Sequence, residues 1–430
     1  MKTRIASLLI IMLVAACDQP TAQQQQQTEQ PAVQPIAEKE IGAAQAELPP
    51  SDGEEVVRTG FIRTDVGRWL KGMEKDSTFI IDLFPDVRLT LKMTARTVMQ
   101  DSITVLDGWV HGSYPGAFSL ICTPSGMAGQ IEQYSVVYSL LPVAKGVTRV
   151  QLIDRTLFRD EGAPRKAKTA RDRKPAGDGD GKLRVLVLFP KPLKHFCTSK
   201  WPFDWRQMLQ LLFTSNLNKV FAAMEPTGVS ATVVVDCIDY SPEGGDFDAD
   251  LDHIRTSADV ATLRDKHKAD MVSLLVPKGD LCGLGYYNAP PVTASDADLA
   301  FSVVKFSCAL ENYSFAHELG HNLGMQHDRI TEGAATSSQC NYGSIFKLKY
   351  KVFFPPMTLT YRSVMTYASA CSDCPRMGVY SNPLTINYGN YISIGPMGAA
   401  CNNPPTDGKY KRANNRQQLI DAAPVVSNFR

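Results

Sequence analysis

The sequence predicts an α/β (α+β) domain over residues 183–430, preceded by a small β-rich domain over 56–160. Three observations carry this prediction. Short alternating or wholly apolar runs, broken by Gly and Pro, fill the first region; strand-length and helix-length patterns alternate in the second; a polar, basic stretch over 161–182 separates them. With 430 residues, 44% of them hydrophobic and 21% charged, the chain can bury a sizeable core in two domains.

From the N-terminus, residues 1–17 read as a secretory leader: Met1-Lys2-Thr3-Arg4, an apolar run over 5–14, then Ala15-Ala16-Cys17. The run is shorter than the ~20 residues a membrane-spanning helix needs, and small residues before a cysteine suit a signal peptidase, so export is expected. Residues 18–55, with five consecutive glutamines at 23–27 and no apolar periodicity, are expected to form a disordered tether. The β-rich domain rests on runs such as Phe79-Ile80-Ile81, Val87-Arg88-Leu89-Thr90-Leu91 and Tyr134-Ser135-Val136-Val137-Tyr138. Arg165, Lys166, Lys168, Arg171, Arg173 and Lys174, followed by Gly177-Asp178-Gly179-Asp180-Gly181, make 161–182 a linker, either a solvated spacer or a cleavage site that releases the C-terminal domain. Beyond it, strands are expected at 183–189, 229–238, 271–276 and 301–306, and helices at 205–224, 253–267 and 411–423.

Charge points to no particular partner: 45 Lys plus Arg nearly cancel 44 Asp plus Glu, which gives no global field to draw the protein to nucleic acid. Chemistry is concentrated in Phe315-Ala316-His317-Glu318-Leu319-Gly320-His321-Asn322-Leu323-Gly324-Met325-Gln326-His327-Asp328, which holds three of the seven histidines. On a helix, His317 and His321 lie one turn apart on one face, so both imidazoles can bind one zinc ion. A continuous helix would put His327 about 240° round from His321, on the wrong face. Gly324 can adopt the left-handed conformation that ends a helix, returning His327 as third ligand. Three protein ligands leave a position open for water, as in a catalytic zinc site, and Glu318 is placed to act as general base in peptide hydrolysis. Six fixed residues would recur by chance on the order of 10⁻⁹ per window.

These residues resemble the metzincin signature, and Asp328 after the third histidine resembles its reprolysin (adamalysin) branch. The resemblance implies a zinc metalloendopeptidase with a zinc helix and, at Ser363-Val364-Met365-Thr366-Tyr367, a Met-turn that sets Met365 beneath the metal. Tyr367 departs from the reprolysin pattern and is similar to astacins and serralysins, which implies a transition-state stabiliser. Asp328 is expected to orient its loop rather than to bind metal. By the same resemblance 56–160 is propeptide-like, through Leu83-Phe84-Pro85-Asp86 and Trp109-Val110-His111-Gly112. Val14-Ala15-Ala16-Cys17 resembles the lipobox of bacterial lipoproteins, implying lipidation at Cys17 and a membrane-anchored protein of the cell envelope, periplasmic or at the cell surface.

Eight of ten cysteines lie in the second domain, an even number that in an exported protein suggests disulfides. Cys282 with Cys308, and Cys340 with Cys371 or Cys374, are the expected pairs. Cys122 is left over. Either its thiolate occupies the open metal position as a latency switch, or it is a small buried hydrophobe in its strand. The expected cofactor is zinc, calcium having no support in the sequence, and the expected partner is a protein or peptide substrate whose backbone pairs with an edge strand at 300–304. A catalytically silent zinc-bearing surface or adhesion module is the alternative, discriminated by the intact Glu318.

Overall fold

The computed structural model describes residues 33–37, 53–99, 103–112, 116–124, 126–166, 179–197, 205–223, 226–242, 244–334, 337, 339–350, 357–372, 374–383, 386–388, 392–394 and 413–430. The first domain is one antiparallel sheet. Its strands are β1 (Gln34–Ile36), β2 (Val56–Arg63), β3 (Thr78–Phe84), β4 (Val87–Val98), β5 (Thr104–His111), β6 (Gly116–Thr123), β7 (Gly126–Gln133), β8 (Val136–Ala144) and β9 (Val147–Asp154), with a short helix α1 (Val66–Trp69) after β2. The order is β1-β2-β9-β8-β7-β6-β5-β4-β3, so each strand from β3 to β9 pairs with its sequence neighbour. The sheet coils until β2 meets β3: a Cβ on Gly60 would stand 2.7 Å from the Phe84 ring, and Arg58 pairs with Asp86 at 2.6 Å. Inside the coil, alternate side chains such as Phe79, Ile81, Leu91, Met93, Leu106 and Leu120 form the core.

β1 corrects the expectation of a continuous tether over 18–55. Val33 is buried in the coil's core and β1 pairs antiparallel with β2. Three residues are too few to show a periodicity, and Pro35 is tolerated because β1 is an edge strand.

The second domain is mixed α/β. A five-stranded sheet is built from β10 (Lys182–Phe189), β11 (Ser230–Cys237), β12 (Met271–Val276), β13 (Gly283–Gly285) and β14 (Phe301–Lys305), in the order β11-β10-β12-β14-β13. The helices are α2 (Trp205–Ala222), α3 (Phe247–Thr256), α4 (Ala258–Lys266), α5 (Phe306–Ala309), α6 (Ser314–Asn322) and α7 (Asn415–Val426). β10, β11, β12 and β14 run parallel; β13 runs antiparallel to β14. The central strands are apolar runs because both their faces are covered. Small pieces complete the domain: β15 (Gln326–Asp328) with β16 (Tyr342–Gly343), and β17 (Ile345–Tyr350), β18 (Met357–Arg362), β19 (Ile386–Tyr388) and β20 (Ile392–Ile394) in a second sheet.

Two more expectations change. The helix expected at 253–267 is two helices, α3 and α4, because Ser257 is extended and its side chain caps α4 by accepting from the Val260 amide at 3.4 Å. The edge strand is β13, not 300–304: β14 is covered on both sides, and the short glycine-containing β13 folds back over it. Cys282 pairs with Cys308 as expected, tying β13 to α5. Cys371 pairs with Cys374 rather than with Cys340, and Cys197 pairs with Cys237. Cys371 and Cys374 are three residues apart at a left-handed turn on Ser372, which lets them close on each other.

The two domains share buried contacts. Ile103, Ile121 and Ala128 of the coiled sheet join the core around α2 and α6, and Phe158 packs with Cys282 and Cys308. Arg155, 2% exposed, donates to the Glu311 carbonyl at 2.7 Å and pairs with Glu132.

Candidate active site

α6 is buried along its whole length, and His317 and His321 sit one turn apart on it. The helix stops at Gly324, whose φ of +85° lies in the left-handed region. A Cβ there would meet Gln418 Nε2 at 2.7 Å and the Asn288 carbonyl at 2.9 Å, so glycine is required for both conformation and space. The reversal returns the chain as β15, which carries His327 back to the other two rings.

The three Nε2 atoms form a near-equilateral triangle with edges of 3.1, 3.1 and 3.2 Å. Each Nδ1 is engaged elsewhere: His317 donates to the Val364 carbonyl and His321 to the Met325 carbonyl, both at 2.8 Å, and His327 meets Glu332 Oε1 at 2.9 Å. Carbonyl oxygens only accept, so these Nδ1 atoms carry the protons and the Nε2 lone pairs converge bare. Three converging acceptors with no donor among them require a cation, and zinc at ~2.0–2.1 Å from each nitrogen fits such a triangle. Burial and the neighbouring rings push His317 down to about 3 and His321 well below its usual range, keeping both neutral as ligands must be.

Glu318, on the same helix, is fully buried, and neither carboxylate oxygen has a hydrogen-bond partner among the described residues. It lies against β13: a Cβ on Gly283 would stand 2.5 Å from its Oε1, and one on Gly285 2.9 Å from its Oε2. The two glycines of Gly283-Leu284-Gly285 thus make room for the carboxylate. Burial first, and then Glu161, hold its carboxyl well above the usual range.

Met365 is buried below α6, where a Cβ on Gly320 would meet its sulfur at 2.5 Å. Asp328 does not join the triangle. It accepts from the Ile330 and Thr331 amides at 3.0 Å and from the Tyr367 amide at 3.3 Å, holding the loop after His327 to the segment after Met365. The Tyr367 ring lies 4.0 Å from the His327 ring, and its hydroxyl donates to the Glu161 carbonyl at 2.7 Å. Cys122 lies elsewhere. It is buried in β6 in the core of the coiled sheet, and burial raises its thiol to about 12, so it is a neutral hydrophobe there and not a ligand. Cys17 lies outside the described residues.

Sequence reasoning missed the residues that fill the cleft. The end of the first domain and the start of the expected linker, together 160–165, lie along edge strand β13: the Gly162 amide donates to the Gly283 carbonyl at 2.8 Å, the Arg165 amide to the Gly285 carbonyl at 2.9 Å, and the Tyr287 amide to the Arg165 carbonyl at 3.0 Å. Glu161, fully buried, accepts from Arg376 through both oxygens at 2.5 and 2.8 Å and from Ser314 Oγ at 2.7 Å. Arg362 is 1% exposed beside them. No motif flags single Glu and Arg residues so far apart, whereas Glu332 stood in plain view five residues after His327.

Residues 215–394 match the reprolysin-like M12B metallo-peptidase family. This stretch of the chain is similar to the reprolysin-like metallopeptidases. The triangle, Glu318 and Met365 all lie within the matched residues. A peptidyl-Asp metalloendopeptidase of Stenotrophomonas maltophilia is 31% identical over 194 residues, which is 44% of this chain and 40% of the relative. One of Xanthomonas campestris pv. campestris is 30% identical over 193 residues, or 44% and 39%. The chain therefore spans about two fifths of these curated relatives' length. The crystal structure of metalloproteinase-II from Bacteroides fragilis aligns over 61% of this chain and 85% of its own with 14% identity and a TM-score of 0.31, too slight a likeness to inform the fold.

Proposed function

We propose that the chain is a zinc-dependent metalloendopeptidase in which His317, His321 and His327 hold the metal and Glu318 is the general base. One observation carries the reading: three bare imidazole nitrogens converge beside a buried carboxylate that no group of the described residues satisfies. Zinc, when bound, supplies a Lewis acid that lowers the pKa of a water toward ~7. Glu318 accepts that water's proton, its carboxyl already tuned upward by burial, and returns it to the leaving amine. Tyr367 stands over the ring of His327 with its hydroxyl turned into the cleft, where it can donate to the oxygen of an attacked carbonyl. Edge strand β13 aligns the substrate backbone, as the extended segment 160–165 lying on it supports.

In this reading α6 is the zinc helix, the 363–367 turn is the Met-turn beneath the metal, and the coiled sheet is a propeptide domain. The relatives' name further supports cleavage of protein substrates at an acidic residue. Export, and anchorage to the cell envelope through a lipid on Cys17, belong to the same proposal and rest on the leader sequence. Among the described residues no helix is long and apolar enough to cross a membrane.

The test uses the zinc-loaded full chain, nicked briefly with trypsin in its basic stretch and then treated with trypsin inhibitor, beside a Glu318→Ala chain handled identically. Cleavage of an unfolded protein by the first alone, abolished by a chelator, is expected. Equal cleavage by both, or zinc bound without cleavage at any substrate concentration, overturns the reading.

A further inference from the structure

Arg376 is placed oddly for a structural cation. It is fully buried, and its guanidinium is fixed from behind by the carbonyls of Asn312 at 2.9 Å and Thr366 at 3.3 Å, both in the domain that holds the histidines. Arg362, 1% exposed, donates to the same Thr366 carbonyl at 2.7 Å. Two guanidiniums thus meet on one side of His317, within one domain. Among the described residues, the carboxylates paired with them come from the segment leaving the coiled sheet: Glu161 grips Arg376 with both oxygens, and Asp160 Oδ1 lies 3.8 Å from Arg362. Glu161 Oε2 is also 3.9 Å from His317 Nδ1, which sets its carboxylate on the outer side of one ring of the triangle.

A buried guanidinium deprived of its carboxylate is strongly unfavourable, so this pocket is built to hold an acid. Its backbone-fixed fork matches a carboxylate's geometry, and an uncharged side chain would leave the guanidinium uncompensated. The acid now in place arrives on a segment hydrogen-bonded along β13, the route proposed for the substrate. We propose that Arg376, backed by Arg362, is the pocket that receives an acidic side chain next to the scissile bond, and that Glu161 is the chain's own occupant of it. The segment 160–165 runs parallel to β13, in the same pairing direction as the Arg165–Tyr286 bridge. It blocks both the backbone groups of the edge strand and the side-chain pocket. Specificity and latency then share one carboxylate contact.

The proposal rests on the peptidase reading for the words "scissile bond", but its test reads binding, so the two can fail separately. Fluorescein-labelled peptides of alanine with one central Asp, Glu, Asn or Gln are titrated into zinc-loaded full chains by anisotropy. With Glu318→Ala alone, Glu161 competes for the pocket, and the acidic peptides are expected to bind only at large excess. With Glu318→Ala plus Glu161→Gln, the Asp or Glu peptide should bind at least tenfold more tightly than its amide counterpart, and adding Arg376→Gln should erase that difference. Equal binding of acid and amide peptides, or acid preference that survives Arg376→Gln, overturns the pocket; equal binding with and without Glu161→Gln overturns the occupant. Should the substituted chains not fold, hydrogen exchange of the 160–165 amides in the wild-type chain decides. Excess acidic peptide should accelerate it and amide peptide should not, and no difference between the two overturns the proposal.

Discussion

At the scale of single residues, the site combines groups that are satisfied with one that is not. Each histidine is oriented through Nδ1, while Glu318 has no hydrogen-bond partner among the described residues. Glu318→Gln is therefore expected to lower kcat by ~10²–10⁴-fold while leaving zinc stoichiometry at one per chain, measured by turnover and by metal analysis of the same sample. Glu332→Ala should act differently. It frees the His327 ring without touching the triangle, and a ~10–100-fold loss of zinc affinity with nearly unchanged kcat at saturating zinc is expected in a competition titration with a chelating dye. The convergence of His317, His321 and His327, with Glu318 on the same helix and Gly324 ending it, was legible in the sequence because the spacing has a geometric meaning on a helix. Glu332 was not read although it stood close by, since a single acid after a ligand carries no period. Glu161, Arg362 and Arg376 could not have been read: they meet only in three dimensions.

At the scale of elements, glycines decide which strands and helices can touch. Gly283→Ala would drive a methyl into Glu318 Oε1, displacing either that carboxylate or the edge strand; a fall in kcat of tenfold or more with an unchanged metal content is expected. Gly324→Ala must hold a left-handed residue at a cost of roughly 1–2 kcal/mol, and its methyl also strikes the Asn288 carbonyl, so chemical denaturation should show a loss at least that large. Asp270, just before β12, supplies a pH signature. Burial pushes its carboxyl up to about 6, although the Arg184 amide donates to it at 2.8 Å. An acid whose folded pKa exceeds its unfolded value is least costly when protonated. The penalty is thus absent below pH ~4, grows between pH ~4 and 6, and is constant above. Asp270→Asn should be more stable than wild type by on the order of 2 kcal/mol at pH 7 and equal to it near pH ~3.5, read from denaturant midpoints. Strand and helix periodicity made β10, β11, β12, β14 and α2 readable. β13 was not, because three residues containing two glycines have neither period nor propensity.

At the scale of the whole molecule, the division into a β-rich and an α/β part was readable from punctuation and pattern, but the relation between the parts was not. The expected linker is in part a component of the site, because an extended polar segment has the same composition whether it faces water or an edge strand. The disulfide Cys282–Cys308, 26 residues apart, fastens the edge strand on which segment 160–165 lies and on which a substrate is proposed to lie. Replacing both cysteines by alanine is expected to cost about 3 kcal/mol of stability, measured by denaturation under oxidising conditions.

Finally, β9 runs into the cleft segment with only a single 3-10 turn, Arg155–Leu157, between them. The occupant is thereby leashed to a body that is itself seated on the host domain, and its local concentration is of millimolar order however dilute the protein is. In an intact chain, occupancy is therefore a constant of the molecule. A break anywhere between 166 and 179 turns it into a meeting of two molecules, governed by mass action. A nicked protein would stay silent while crowded where it was made and awaken only on dispersal into a larger volume.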